Sequence, residues 1–221
     1  MSSRIRHAPL AESDLAGSLA ATLAHWDRRE PLWVFAYASL IWHPELRFDR
    51  RVAARVHGYH RRLCLWSVEY RGTLARPGLV AGLDRGGSCN GILYRVPATD
   101  VPKEFGVLWR REMSLGQYTP RWLACRRIGT SRVVRALAFV IRHDASNYCE
   151  RISEAELIDV LLQARGARGS NLEYLEHTVA ALHAEGIGDP HLERLAAHAR
   201  AARAARGETA SARRSPRRLP P

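Results

Sequence analysis

Two apolar periods alternate along this chain, and they divide it into strands and helices. Between residues 33 and 97 the apolar positions fall in short alternating or continuous blocks separated by turn residues, the signature of β-structure. They predict strands at 33–41, 55–70, 79–85 and 88–97, with His57-Gly58-Tyr59-His60 as a bulge in the second. Asp84-Arg85-Gly86-Gly87-Ser88 has the composition of a hairpin turn joining the last two. A further hairpin is expected from 121–128 and 132–142 around Gly129-Thr130-Ser131.

The helical period governs the rest. A short amphipathic helix is predicted at 13–26, and Asp100 with Pro102 starts another over 101–115 that Gly116 ends. Ser153…Glu156 is a capping box opening 154–165, stopped by Gly166. Ser170…Glu173 is a second, opening 171–185, and Asp189-Pro190 starts a last helix of about 190–205. These elements imply an α+β class: a mostly antiparallel sheet or small barrel with helices around it. The expected organisation is an N-terminal extension with a short helix (1–30), one core domain (31–198) and a tail (199–221), without structure past about residue 206.

Two places break the pattern. In residues 31–46, PLWVFAYASLIWHPEL, an apolar run ends in a small-residue corner, Ala38-Ser39, before Trp42 and Pro44. That corner is either a plain turn or a pocket whose backbone amides receive a small anion. In the 101–115 helix, Phe105, Leu108 and Trp109 define the inner face, and the next position on it is Glu112. Arg110 and Arg111 are expected on other faces. An inward carboxylate must be paired, neutral or lining a cleft, and both desolvation and the helix C-terminus push its pKa upward. Glu112 is therefore a general acid–base candidate, against pairing with Arg121 or fraying into solvent.

Other chemistry is thin. His57 and His60 lack a third ligand, so no metal is expected, and no nucleotide or phosphate fingerprint is present. Ser39 lacks a G-x-S-x-G elbow, which favours a hydrogen-bonding role over a nucleophilic one. Tyr148, in DASNYCERIS, either packs or touches substrate.

Composition narrows the setting. At 46% hydrophobic over 221 residues the chain can bury a core. No apolar run is long enough to span a bilayer and no signal-peptide pattern opens the chain. Together with four widely spaced cysteines, this predicts reduced thiols and a cytoplasmic setting without membrane partners. The net charge of +12 is concentrated in the tail, where seven arginines face Glu208 alone between 200 and 221. Lys103 is the only lysine, an imbalance that fits codon bias better than a selected binding face. No dedicated nucleic-acid partner is expected; the tail can make weak contacts with acidic surfaces.

Several separated motifs carry a family likeness. WVFAYASLIWHPEL, GYHRRLCLWSVEYRGTLARPGLVAGLDRGGSCNGILYRV, LWRREM with YTPRWL, and NLEYLEHTVAALHAEGIGDPHLERL follow in order from about residue 31 to about 198. They resemble the ChaC family of glutathione-specific γ-glutamylcyclotransferases. The resemblance implies a γ-glutamylcyclotransferase-like barrel with surrounding helices, acting on glutathione without metal or cofactor to give 5-oxoproline and cysteinylglycine. It implies Glu112 as the general base and acid, Ala36, Tyr37, Ala38, Ser39, Leu40 and Ile41 as the substrate loop, and Tyr148 as a substrate contact. Arg61, Arg62 and Arg71 are candidates for holding the glycyl carboxylate. Ala36 and Ala38 replace glycines of the family loop, and Ser146, Cys149 and Glu150 depart from its pattern around Tyr148. If position 38 needs φ > 0, alanine there costs about 1 kcal/mol. The same chemistry on another γ-glutamyl amine or dipeptide, and a weakened or non-catalytic γ-glutamyl-binding protein, are the alternatives.

Overall fold

A computed structural model describes residues 9–214, with side chains to residue 207. Five strands close a barrel in the order β1-β3-β2-β4-β5: β1 Leu32–Ala36, β2 Arg50–Ser67, β3 Gly78–Val96, β4 Tyr118–Arg127 and β5 Val133–Ile141. Neighbours are antiparallel except at closure, where β5 runs parallel to β1 (Val34 beside Leu137) and touches β3 (Leu83 beside Val140). Helices surround it: α1 Glu12–Leu23, α2 Ser39–Trp42, α3 Val101–Met113, α4 Glu154–Gln163, α5 Asn171–Ala184 and α6 Pro190–Arg214. A two-residue ribbon, β6 Arg165–Gly166 with β7 Gly169–Ser170, joins α4 to α5.

The expected hairpin at Asp84–Ser88 is absent. β3 runs unbroken past it, paired with β2 from Ser67↔Gly78 to Arg50↔Arg95. The register shifts between His57 and Tyr59, and the three glycines there, Gly58, Gly86 and Gly87, all have positive φ. Turn chemistry thus bends a long ribbon around the barrel instead of reversing the chain. The reversal between β2 and β3 falls in residues 68–77, because β2 ends at Ser67, short of the strand end expected at 70. The β4–β5 hairpin forms where predicted, with Gly129 at φ 77°.

Both capping boxes close as read: Ser153 Oγ accepts from the Glu156 amide and Ser170 Oγ from the Glu173 amide, each glutamate reaching back to its serine amide. α6 extends to Arg214, past the end expected near 205, because its alanines and arginines are strong helix formers. Residues 1–8 and 215–221, part of the expected extension and tail, lie outside the described residues. The N-terminal helix α1 packs on α3, with Trp109 Nε1 donating to Ser18 Oγ at 2.7 Å.

One buried cation ties three elements together. Arg61 on β2 has a side chain only 2% exposed and pairs through Nη1 with Asp189 Oδ2 at 2.7 Å. It also donates to the carbonyls of Tyr37 and Asn90, so it joins the end of β1, β3 and the start of α6. Asp189 Oδ1 meanwhile caps α6 at the Leu192 amide, 3.2 Å away. Asp189→Asn keeps a competent cap but turns the Arg61 partner neutral. It is expected to cost about 2–3 kcal/mol in urea unfolding, below a fully buried pair because Asp189 meets some solvent.

Candidate active site

A cavity of ≈ 690 Å³ opens at the barrel end formed by the last residues of β2, the first of β3 and β4, and the C-terminus of α3. The sequence explains how a carboxylate comes to line it. α3 buries Val101, Phe105, Leu108, Trp109 and Met113, and the same face carries Glu112 to the cavity with its side chain 13% exposed. Burial raises the Glu112 pKa above the ordinary glutamate value; Glu45 adds to the rise, while Arg111 and Arg168 oppose it.

Arg111, expected to point elsewhere, lies in the cavity. Its Nε is 3.1 Å from Glu112 Oε1, and its Nη1 donates to Glu45 Oε2 at 2.8 Å and to the His43 carbonyl at 2.5 Å. Its Nη2 donates to Ser39 Oγ at 3.3 Å. A long side chain one residue before Glu112 curls around the helix end, which a count of faces by sequence spacing does not register. The pairing with Arg121 is not formed: Arg121 is exposed on β4, and the partner of Glu112 is Arg111.

The predicted loop residues separate. Ser39 lines the cavity, whereas Ala36, Ala38, Leu40 and Ile41 are packed in the core. Tyr37 is buried too, and its hydroxyl donates to the Phe139 carbonyl at 2.9 Å. Ala38 has φ −146°, so position 38 does not use the left-handed region and the feared alanine cost does not arise. Tyr148 is drawn off to the side: its hydroxyl accepts from Arg62 Nη2 at 2.9 Å and its ring stacks on His143. Its neighbour Asn147 is the residue of that loop that lines the cavity.

The three arginine candidates are differently occupied. Arg61 is consumed by the core contacts above, and Arg62 by Asp84, Tyr148 and the Cys149 carbonyl. Arg71 lines the cavity, flanked by the rings of Trp42 and Tyr174 at 5.7 and 5.5 Å, with one donor on the Ser170 carbonyl. Arg168, between β6 and β7, was missed; it also lines the cavity, over the Tyr70 ring at 4.5 Å. Its signal in sequence was faint, a cation between the turn glycines Gly166 and Gly169. Tyr118 and Tyr174 complete the inner wall, and burial raises both phenols, Tyr174 to about 12. The four cysteines are buried and free, and burial pushes Cys64 and Cys125 up to about 12, far from thiolate chemistry. Among the described residues no group of three or more His, Cys, Asp or Glu could hold a metal ion, and no helix is long and apolar enough to cross a membrane.

Glu112, its pKa raised by burial, thus faces a cavity that also has the guanidinium groups of Arg71, Arg111 and Arg168 on its walls. Solved structures give the fold its class. A yeast γ-glutamyl cyclotransferase specific to glutathione superposes with a TM-score of 0.71 at 22% identity, covering 77% of this chain and 96% of that one. Residues 32–202 match the model of the ChaC-like protein family, and the chain belongs to that family. A glutathione-specific γ-glutamylcyclotransferase of Escherichia coli is 37% identical over 161 residues, 72% of this chain and 69% of that protein. The human glutathione-specific γ-glutamylcyclotransferase 1 is 32% identical over 149 residues, 66% and 67% respectively.

The raised Glu112 pKa has a consequence for stability. A carboxyl whose folded pKa exceeds its unfolded value stabilises the fold below the unfolded value, and that contribution is lost as pH rises through the folded one. To the extent that Glu112 ionises as the pH rises, it weakens the fold. Glu112→Gln is expected to melt at the same or a higher temperature than the wild type at pH 7, with the difference shrinking as the pH falls; differential scanning calorimetry checks both.

Proposed function

We propose that this protein is a γ-glutamylcyclotransferase that cleaves glutathione into 5-oxoproline and cysteinylglycine. The observation that carries it is the placement of Glu112, Ser39 and the cationic walls around one cavity, in a chain whose relatives are named for this reaction.

The α-amine nitrogen of the γ-glutamyl residue attacks its own γ-carbonyl carbon, forming a C–N bond and a five-membered ring. The bond from that carbon to the cysteinyl nitrogen then breaks. The α-nitrogen sheds two protons on its way from ammonium to lactam N–H: Glu112 takes one and hands it to the departing nitrogen, which leaves as an amine, and the other ends on that amine as it becomes an ammonium. No water enters the balance. Binding must fold the γ-glutamyl chain onto itself, so geometry supplies much of the acceleration. Ser39 and the backbone amides beside it hold the γ-glutamyl head and receive the developing oxyanion. Arg111 orients both Ser39 and Glu112, to which it is joined. Arg71, with Arg168 beside it, takes the glycyl carboxylate at the other part of the cavity. Tyr37 and Tyr148 act from outside the cavity, the first bracing the loop on β5 and the second holding the 142–150 segment through Arg62. We place the enzyme in the cytoplasm, where its free cysteines stay reduced.

Release of 5-oxoproline from millimolar glutathione tests this directly. Wild type is expected to turn over, and Glu112→Gln to lose at least about a thousandfold in kcat with its fold intact, within the scale of a lost acid–base group. Equal release by both would remove Glu112 from the chemistry. Arg71→Met, which keeps the packing between Trp42 and Tyr174, is expected to raise KM for glutathione about tenfold or more while kcat stays within about threefold. An unchanged KM would take the glycyl carboxylate away from Arg71.

A further inference from the structure

The loop between α2 and β2 holds an unusual residue. Glu45 has φ 48°, and it is the only non-glycine residue with positive φ among those described. A backbone in that region is retained where surroundings impose it, and often where function uses it. The surroundings are visible. Two residues on, the Arg47 amide donates to Glu104 Oε2 at 2.9 Å, and Glu104 is a carboxylate buried on α3. The loop is thereby pinned to the helix that carries Glu112, and Glu45 lines the same cavity.

Pinned there, Glu45 takes the hydrogen bond from Arg111 Nη1 at 2.8 Å, and His43 Nε2 sits 2.7 Å from its other oxygen. Glu112 faces the Nε edge of the same guanidinium. One cation is thus divided between two carboxylates. We propose that Glu45 is a positioning residue for Glu112: by holding the Nη1 side of Arg111 it leaves Glu112 a single edge of that cation, and so keeps Glu112 available as a proton acceptor. This rests on the cyclotransferase reading for its catalytic consequence, but the coupling of the two carboxylates through Arg111 stands on the geometry.

Other groups around Glu112 do not replace this arrangement. Arg168, from the β6–β7 turn, is the second cation acting on Glu112 and works in the same direction as Arg111. Tyr37 beyond β1, Tyr118 on β4 and Tyr174 on α5 are phenols raised by burial and stay neutral at physiological pH. On the β2–β3 loop, Arg71 and Glu69 carry opposite charges at the cavity wall, and His177 of α5 lines it as well. Among these groups Glu45 is the carboxylate that both bonds Arg111 and acts on Glu112.

Two variants separate charge from backbone. Glu45→Gln bears the same backbone cost without the charge, and Glu45→Gly removes charge and strain together. The Glu112 carboxyl is followed by ¹³C NMR across pH, its resonance assigned by its loss in Glu112→Gln. Kinetic pH profiles of 5-oxoproline release are taken in parallel. In both variants the Glu112 midpoint is expected to fall, because Arg111 turns fully to it and a like charge is gone. The acid limb of the kcat profile should move down with it, and plateau kcat should drop about threefold to tenfold as the base weakens, with KM changed less than about twofold. A Glu112 midpoint that stays or rises in folded Glu45→Gln overturns the proposal. So does a Glu45→Gly enzyme with wild-type titration and rate, which would leave Glu45 a purely structural residue. A wild type that releases no 5-oxoproline overturns the functional reading instead, and the NMR midpoints still decide the coupling.

Discussion

A carboxylate is held against the end of a barrel core beside a guanidinium, and much of the architecture answers that one constraint. Burial raises the Glu112 pKa while Arg111 and Arg168 lower it, and the fold sets these influences against each other. It places Glu112 in the last turn of α3, where the helix end disfavours negative charge, and gives it one shared edge of Arg111. The remaining donors of that guanidinium go to Ser39, the His43 carbonyl and Glu45, so the cation that steadies the carboxylate also fixes the loop facing it.

The opposite wall depends on the long β2–β3 ribbon. Its bend at the glycine bulge carries both strands around the barrel, and its far end delivers Trp66, Ser67, Val80 and Ala81 to the cavity. Near that end β3 meets β5 at Leu83 alone, and α5 supplies bonds that a further strand would make. Asn171 both donates to and accepts from Leu79, and the Tyr174 hydroxyl accepts from the Ala81 amide at 3.0 Å. Side chains thus satisfy a sheet edge, and the same Tyr174 becomes a wall of the site. The Ser170 capping box, which starts α5, is consequently part of how the site is held.

What the sequence made legible was local or periodic. Each capping box lies within four residues, and the helical period alone put Glu112 inside. The glycine cluster at 86–87 was recognised as backbone that must bend, but a bulge and a reversal use the same residues, and only pairing across sixteen registered positions distinguishes them. Tertiary features escaped altogether. Arg61, Arg62 and Arg71 look alike in sequence; one is a core strut, one a brace for Tyr148, and one a cavity wall. Glu104 shares the face of Glu112, yet its role is to hold the Arg47 amide. Arg111 and Glu45 meet across 66 residues of chain, which no spacing rule reaches.

The positive charge of the chain acquires a more specific meaning once these residues are placed. Part of it sits inside, on Arg61, Arg62, Arg71 and Arg111, where it is matched by carbonyls, carboxylates and aromatic faces. Arg71, Arg111 and Arg168 stand on the cavity wall, so the cavity itself carries a positive field. The same field acts on Glu112, since Arg111 and Arg168 each lower its proton affinity. Cations on the wall and a raised carboxyl are competing demands on one set of charges. Burial and the carboxylate of Glu45 act against those cations, so both stand within a single cavity.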